Sequence, residues 1–190
     1  MTGAPGCGKT SILTALHDRG YAVVPEAATD LIAAEQARGI DEPWTRPEFA
    51  DRIVELQRTR QLEAVGDPQV YDRSPLCTLA LARYLGRPVT PLLAEEIKRL
   101  REQQIFQRLV FFVRPIGFIE PTAARRISFE DSLAFERLHE QTYRDLGFQL
   151  TDVPPAPLAA RAAAIQQIVG PPVIQPARPL LNRLDQRLVS

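Results

Sequence analysis

The sequence has little cysteine, no excess of either charge and no long hydrophobic run. Its two cysteines, Cys7 and Cys77, are too few for a disulfide scaffold and lack metal-ligand spacing. Lys plus Arg and Asp plus Glu number 23 each, so no overall field attracts nucleic acid or an anionic membrane. No apolar run approaches the roughly 18 residues of a membrane-spanning helix, and no signal-peptide pattern opens the chain. These absences predict a soluble cytoplasmic protein that binds neither nucleic acid nor membranes.

Short apolar runs of strand type alternate with amphipathic helical segments along the 190 residues. The strand-type runs are YAVV (21–24), QVYD (69–72), LVFFV (109–113) and FQLTDV (148–153). Strands separated by helices predict an α/β fold, a doubly wound parallel sheet with helices on both faces. We expect one domain over residues 1–170. A proline-rich C-terminal tail over 171–190 is expected to wrap the domain or to be mobile.

Proline positions indicate where several helices begin. Segment 41–65 has proline near its start and apolar residues at helical spacing, which predicts one long amphipathic helix. Ser74 and Pro75 are typical of the N-cap and the first position of a helix, and Thr90 and Pro91 repeat this pair.

A glycine-rich loop near the start of the chain predicts nucleotide binding. Gly3, Gly8, Lys9 and Thr10 match the spacing G-x-x-x-x-G-K-[ST], and a helix follows. The backbone N–H groups of the loop are expected to surround a β-phosphate, while Lys9 reaches the β- and γ-phosphates and Thr10 binds Mg²⁺. The alternative is a chance match in a glycine turn. The predicted nucleotide-binding residues are Gly3, Ala4, Pro5, Gly6, Cys7, Gly8, Lys9, Thr10 and Ser11.

Two acids follow predicted strands, at the edge where parallel sheets bind ligands. Asp72 ends QVYD, where a carboxylate can hold Mg²⁺, and Arg73 beside it can contact phosphate or substrate. The alternative for Asp72 is that it caps a turn. Glu26 follows YAVV and could take a proton from an acceptor hydroxyl, or could only favour the dipole of its own helix.

Two further groups of residues are candidates for closing and shaping the site. Arg125 and Arg126 lie in a loop, about 114–132, that is predicted to fold over the polyphosphate as a lid; solvated surface arginines are the alternative. The helix between the first two strands offers residues for an acceptor pocket, or is an ordinary helix with an apolar stripe. The pocket residues are Phe49, Gln57 and Arg60.

Three stretches of the sequence resemble one known family. They are TGAPGCGKTSILTALHDRGYAVVPEAATDLI, VYDRSPLCTLALARYLG and TAARRISFEDSLAFERLHEQTYRDLGF, and the resemblance extends from residue 3 to about 169. The chain resembles the small bacterial ATPases with an AAA domain. That P-loop group is similar to the ribosylnicotinamide kinase domain of the bacterial NAD-biosynthesis regulator and, more distantly, to deoxynucleoside and thymidylate kinases.

The resemblance implies a nucleotide kinase type of fold and a role for each candidate residue. By this resemblance Glu26 acts as base or holds the acceptor, and Asp72 and Arg73 serve the metal and the phosphates. Arg125 and Arg126 take the lid role. The implied function is an ATP-binding phosphotransferase that uses Mg²⁺ and a nucleoside-like small-molecule acceptor. An animal GTP- and phosphoinositide-binding protein of the same shape leaves a second hypothesis, a nucleotide-gated regulatory module or a simple NTPase.

The absence of two sequence patterns bears on the class of ATPase and on the nucleotide base. Mechanical ATPases of the wider AAA class end an apolar strand with paired acids, whereas this chain has Asp72 followed by Arg73, which argues against a remodelling motor. No N-K-x-D stretch is present to select guanine, which favours adenine.

The strand that normally precedes a phosphate loop is missing, because only Met1 and Thr2 stand before Gly3. In the related kinases this strand is central, and its absence leaves buried N–H and C=O groups without partners, at roughly 1 to 3 kcal/mol each. We therefore expect a truncated first strand, with about five to eight further residues ahead of Met1 in the natural chain. The alternative is that the tail segment RLVS (187–190) fills the slot.

Overall fold

The computed structural model describes residues 1–115 and 129–173, with side chains in the second range from residue 134 onward. Its strands are β1 (Ala22–Val24), β2 (Gln69–Tyr71), β3 (Leu109–Val113) and β4 (Gln149–Val153). Its helices are α1 (Lys9–His17), α2 (Ala27–Gln36), α3 (Phe49–Glu63), α4 (Pro75–Tyr84), α5 (Pro91–Glu102), α6 (Phe129–Asp145) and α7 (Leu158–Val169). The predicted alternation of strands and helices is confirmed, and the fold is α/β.

The strands form two parallel pairs, β1 with β2 and β3 with β4, and the first two residues lie between the pairs. Met1 exchanges two main-chain hydrogen bonds, of 2.9 and 3.0 Å, with the carboxyl end of β2. Thr2 exchanges two, of 2.9 and 2.8 Å, with β3 and pairs in parallel with Phe112. The order across the sheet is therefore β1, β2, residues 1–2, β3, β4.

Met1 and Thr2 thus take the place expected for the strand before the phosphate loop. They supply partners to backbone groups at the ends of β2 and β3, so the cost expected from unpaired groups is relieved at this end of the sheet. The segment RLVS lies outside the described residues. A longer first strand in the natural chain stays a prediction.

Helices cover both faces of the sheet, as predicted for a doubly wound fold. α1 and α7 pack on one face, against Phe111 and Val113 of β3. α4, α5 and α6 pack on the other face with Val110. Successive side chains of a strand point to opposite faces, so burial on both sides explains the continuous apolar sequence of β3. None of the described helices is long and apolar enough to cross a membrane.

The prediction of one long helix over 41–65 is wrong, because the segment is divided. A 3₁₀ turn covers Pro43–Thr45, and α3 begins only at Phe49. Arg46 between them is extended, with ψ of 139°, as a residue before proline favours. The buried apolar side chains where α2 meets α3 form a third core cluster, against which Trp44 packs; they are Ala27, Leu31, Phe49 and Ile53.

The two predicted N-caps differ in what their hydroxyls do. Thr90 accepts a hydrogen bond from Leu93 N–H at 3.2 Å and caps α5 as predicted. Ser74 is the N-cap residue of α4 and Pro75 its first residue, as predicted, but the Ser74 hydroxyl makes no capping bond. The Ser74 hydroxyl lies 2.8 Å from the hydroxyl of Tyr143 on α6 instead.

Candidate functional site

The phosphate loop, residues 3–10, connects the first two residues to α1. Gly3, Gly6 and Gly8 have φ angles of 143°, 82° and 87°, in the region that other residues rarely adopt. A Cβ at Gly3 would lie 2.3 Å from Val113 O, so the loop passes β3 with no room for a side chain. Because α1 begins at Lys9, the last N–H groups of the loop lie at a helix N-terminus, where anions are favoured.

Lys9 is folded back into its own loop. Its side chain is buried, at 6% exposure, and Nζ donates to Gly3 O at 3.2 Å and to Ala4 O at 3.1 Å. Burial, together with the charge of Arg73, lowers the pKa of the ammonium group. A phosphate bound at the loop would supply the opposite charge that this buried cation needs.

An arginine that the sequence analysis missed holds the loop from the side of α7. Arg161 is 2% exposed, and its guanidinium donates to Cys7 O at 2.9 Å and to Arg114 O at 3.1 Å. It therefore fixes the middle of the phosphate loop and the end of β3 together. A signal was present in the sequence: Arg161 is the one charged residue of the otherwise uncharged helix Leu158–Val169, and a buried charge needs partners.

Asp72 lies at the carboxyl end of β2, as predicted. Its N–H donates to Val24 O at 2.8 Å, which extends the pairing of β1 and β2. Asp72 is 4% exposed, and its Oδ1 is buried without a hydrogen-bond partner among the described residues. Burial raises the pKa of this carboxyl, although the charge of Lys9 acts in the opposite direction. An unpartnered buried carboxylate oxygen close to a cation is suited to binding a metal ion.

Arg73 pairs with Glu26 across the ends of β1 and β2. Arg73 Nε lies 2.6 Å from Glu26 Oε1, at ion-pair distance, although its N–H does not point at that oxygen as in a hydrogen bond. Arg73 has φ of 70°, a left-handed conformation that costs on the order of 1 kcal/mol in a non-glycine residue. Strained backbone conformations of this kind cluster at functional sites.

The Glu26 carboxyl has a lowered pKa. Burial by itself raises this pKa, but the charges of Arg73 and Lys9 and a hydrogen bond from Thr29 outweigh the effect of burial. Thr29 Oγ1 donates to Glu26 Oε2 at 3.0 Å. Glu26 is therefore a carboxylate at neutral pH. Lys9, Glu26, Asp72 and Arg73 each affect the pKa of the others, so the structure brings these four predicted residues together.

A magnesium ion bound here would take some of its ligands from the protein and the others from a nucleotide. In the described part of the chain, no group of three His, Cys, Asp or Glu side chains is arranged to hold a metal ion by itself. Mg²⁺ at phosphoryl-transfer sites uses one or two protein ligands together with phosphate oxygens and water. Asp72, through its unpartnered oxygen, and Thr10, exposed at the start of α1, fit this pattern.

A narrow cleft lies beside Asp72 and Arg73, between α3 and α5, and its volume of about 10 Å³ has room for about one water molecule. Gln57 and Arg60, two of the residues predicted for an acceptor pocket, line this cleft. Arg60 donates to the backbone oxygen of Pro25 at 3.0 Å, and its charge is already paired with an exposed carboxylate of α2 at 2.5 Å.

The far wall of the cleft combines aromatic and polar groups. Tyr71 and Phe106 line it as an edge-to-face pair, with ring centroids 5.0 Å apart. Gln61 and Glu96 line it too, and both accept hydrogen bonds from Arg99, at 2.9 Å for Gln61 and 2.7 Å for the closer Glu96 oxygen. The cleft therefore offers an apolar surface beside amide and carboxylate groups.

Of the other predicted site residues, Phe49 lies away from the site and two are not described. Phe49 does not line the cleft; it is buried in the third core cluster, because its ring packs where α2 meets α3. Arg125 and Arg126 lie outside the described residues, as does most of the predicted lid.

One comparison with known proteins gives a match. A family model described as an AAA domain matches residues 1–161, and a search of curated proteins finds no match. The matched range begins before the phosphate loop, includes the turn at Asp72 and Arg73, and ends at Arg161.

Proposed function

Because the chain belongs to the AAA domain family and is a P-loop nucleotide-binding protein, we propose that it is an ATP-dependent phosphotransferase. In this proposal the γ-phosphate of ATP passes to the hydroxyl of a small, nucleoside-like molecule. The proposal is supported above all by the meeting of Lys9, Asp72 and the Glu26–Arg73 pair at one edge of the sheet, beside a cleft. Nucleotide and acceptor could there approach each other from the loop and from the cleft.

The phosphate-binding half of the proposed site is formed by the loop and the turn after β2. Lys9, released from Gly3 O and Ala4 O, would bind the β- and γ-phosphates, and the loop N–H groups would bind the β-phosphate. Thr10 and Asp72 would hold Mg²⁺. When bound, Mg²⁺ neutralises charge that develops on the transferred group.

The acceptor half is formed by Glu26 and Arg73. A carboxylate with a lowered pKa is a weak base, so the role of Glu26 is mainly to accept a hydrogen bond from the acceptor hydroxyl and orient it. Phosphoryl transfer through a loose transition state requires positioning more than it requires a strong base. Arg73 holds Glu26 in place and places positive charge near the transferred phosphate.

A flat, polar-edged acceptor could bind against the residues of the cleft only after the cleft widens, because its volume of about 10 Å³ has room for about one water molecule. Tyr71 and Phe106 offer an aromatic surface, and Gln57 offers an amide that can both donate and accept. A nucleoside combines a flat base with hydroxyl groups, which suits both features.

The proposal is tested by measuring ADP release from ATP and Mg²⁺ in the presence of nucleosides, sugars and vitamins. An acceptor should raise release well above the rate with water alone. Lys9→Ala should lower that rate by at least about a hundredfold, because it removes the cation that binds the transferred phosphate. Lys98→Ala is the matched control, because Lys98 is 71% exposed and, among the described residues, forms an ion pair with Glu102 alone, at 3.9 Å; its rate should equal that of the wild type. Equal rates in the wild type and Lys9→Ala would contradict the proposal.

A nucleotide-gated regulatory module is the second candidate, and one observation favours it. Arg73 already neutralises Glu26 at 2.6 Å, so the carboxylate is less available to an acceptor than a free acid would be. A module of this kind binds ATP or GTP tightly and turns it over slowly with every acceptor. If binding is micromolar or tighter while no acceptor raises ADP release, the regulatory function replaces the phosphotransferase.

A further inference from the structure

Four buried polar side chains lie beneath the turn at Asp72 and Arg73, and the proposed reaction does not use them. Tyr143 OH lies 2.8 Å from Ser74 Oγ and 3.2 Å from Cys77 Sγ. Cys77 Sγ also lies 3.2 Å from Thr2 Oγ1. All four residues are buried. We call Thr2, Ser74, Cys77 and Tyr143 the Tyr143 cluster.

The Tyr143 cluster connects the phosphate loop with the turn at Asp72 and Arg73. Thr2 directly precedes Gly3, the first residue of the phosphate loop, and Ser74 directly follows Arg73. Tyr143 lies on α6, far from both in sequence, and its hydroxyl contacts Ser74 directly and Thr2 through Cys77. One hydroxyl group therefore links the residues that would bind phosphate with those that would bind metal.

The conformation around Ser74 indicates that its contact with Tyr143 does more than stabilise α4. A serine at an N-cap normally accepts a hydrogen bond from its own helix and stabilises it. Ser74 makes no such bond and contacts Tyr143 instead. The residue before it, Arg73, has a left-handed backbone that persists only where its surroundings fix it.

We propose that Tyr143 is a positioning residue whose hydroxyl, through Ser74, holds the Asp72–Arg73 turn in place relative to the phosphate loop. This inference rests on the proposed function, because it takes Asp72 as a ligand of nucleotide-bound Mg²⁺. Tyr143 itself touches neither nucleotide nor metal. Its loss should therefore weaken the benefit that Mg²⁺ brings to ATP binding, and should affect metal-free binding much less.

The test compares ATP affinity, measured by calorimetry, with excess Mg²⁺ and with EDTA. The ratio of the two dissociation constants is the magnesium gain. In Tyr143→Phe and in Ser74→Ala the gain should fall about three- to tenfold, the effect of one lost hydrogen bond. The double variant should lose no more than either single variant, because both changes break the same contact.

Tyr21→Phe is the matched control. Tyr21 is equally buried, and its hydroxyl donates to Gly170 O at 2.5 Å, in the core beneath α1 and α7. This variant should lower the melting temperature while keeping the full magnesium gain.

Two results would overturn the inference while leaving the proposed function intact. The first is a wild-type magnesium gain in Tyr143→Phe. The second is equal weakening of ATP binding with Mg²⁺ and with EDTA, which would mean that the hydroxyl only stabilises the fold. If the wild type itself shows no magnesium gain, the metal role of Asp72 is wrong and the inference is overturned with it.

Discussion

At Asp72 a carboxyl group is buried with one oxygen unpartnered, and its pKa is raised mainly by that burial. A raised pKa means that the folded state binds the proton more tightly than the unfolded state does. Stability is therefore lost as the pH rises from the ordinary value of 3.8 through the higher folded pKa. Above the folded pKa the whole cost is present, and there the ionised Asp72 destabilises the folded protein.

Asp72→Asn should raise the melting temperature at pH 7 and remove the loss of stability above the ordinary pKa of Asp72, 3.8, because a neutral amide avoids the cost of burying a charge. The same change should weaken ATP binding in the presence of Mg²⁺ by about tenfold or more, since a metal ligand is lost. Thermal melts across pH and ATP titrations measure the two effects. Asp145→Asn is the control, because this carboxylate is exposed; it lies 3.5 Å from Arg83 and accepts a hydrogen bond from Gln141 at 2.6 Å, and both partners are partly or fully exposed. An Asp72→Asn variant with the melting temperature of the wild type would contradict a cost of burying the Asp72 carboxylate.

At the scale of whole elements, α7 is joined to the phosphate loop by the side chain of Arg161 and by the apolar cluster that Cys7 shares with Ala162 and Ile165. Arg161 donates to Cys7 O and to Arg114 O, so its loss would leave two carbonyl groups without these partners. Each unsatisfied buried carbonyl costs about 1 to 3 kcal/mol. The loop would also lose its hydrogen bond to α7.

Arg161→Met should therefore lower the free energy of unfolding by about 2 to 5 kcal/mol and weaken ATP binding. Urea denaturation and ATP titration measure these effects. Arg19→Met is the matched control, because Arg19 also contacts α7, donating to Gln166 Oε1 at 3.3 Å from a partly exposed position. It should cost less than about 1 kcal/mol and leave ATP binding unchanged. Similar losses in the two variants would contradict a specific role for Arg161.

The elements themselves could be predicted from sequence because their signals are local. The apolar run LVFFV and the glycine at residue 147 each mark a strand or a helix end within a few residues, and β3 and α6 lie where these signals place them. The phosphate loop is equally local. The division of segment 41–65 was predictable in principle from Pro47, since a residue before proline avoids the helical conformation.

The contacts that complete the candidate site could not be predicted in this way. Arg161 and Cys7 are 154 positions apart, and Ser74 and Tyr143 are 69 apart, so no spacing rule connects them. Tyr143 fits the apolar stripe of its helix, and only the fold shows that its hydroxyl meets Ser74. Phe49 fits both a pocket and a core, and packing alone decides for the core.

At the scale of the whole molecule, three apolar clusters are found among the described residues. Two large clusters lie on the two faces of the sheet, and the third core cluster joins only α2 and α3. The third core cluster has four buried members, so it contributes less apolar burial than either of the others. Regions that bury little apolar surface tend to unfold locally before the rest of a protein.

Trp44, the one tryptophan, packs against this third cluster and reports on it. In urea, its fluorescence should change at a midpoint about 0.3 to 1 M below that of far-UV circular dichroism, the shift given by roughly 1 kcal/mol of local stability. Coincident midpoints would contradict this expectation. They would mean that the contacts of α3 with α4 and α5 make the molecule unfold as one unit.

The left-handed backbone of Arg73 has a consequence for laboratory evolution. Glycine adopts φ of 70° without strain, so Arg73→Gly relieves the backbone, just as Asp72→Asn relieves the buried charge. A library screened only for heat resistance would enrich both replacements side by side, and the surviving clones would have lost the two side chains that we propose to meet the metal and the phosphates. Screens of this protein must therefore select for ligand binding in every round, or the most stable clones will be those that no longer bind.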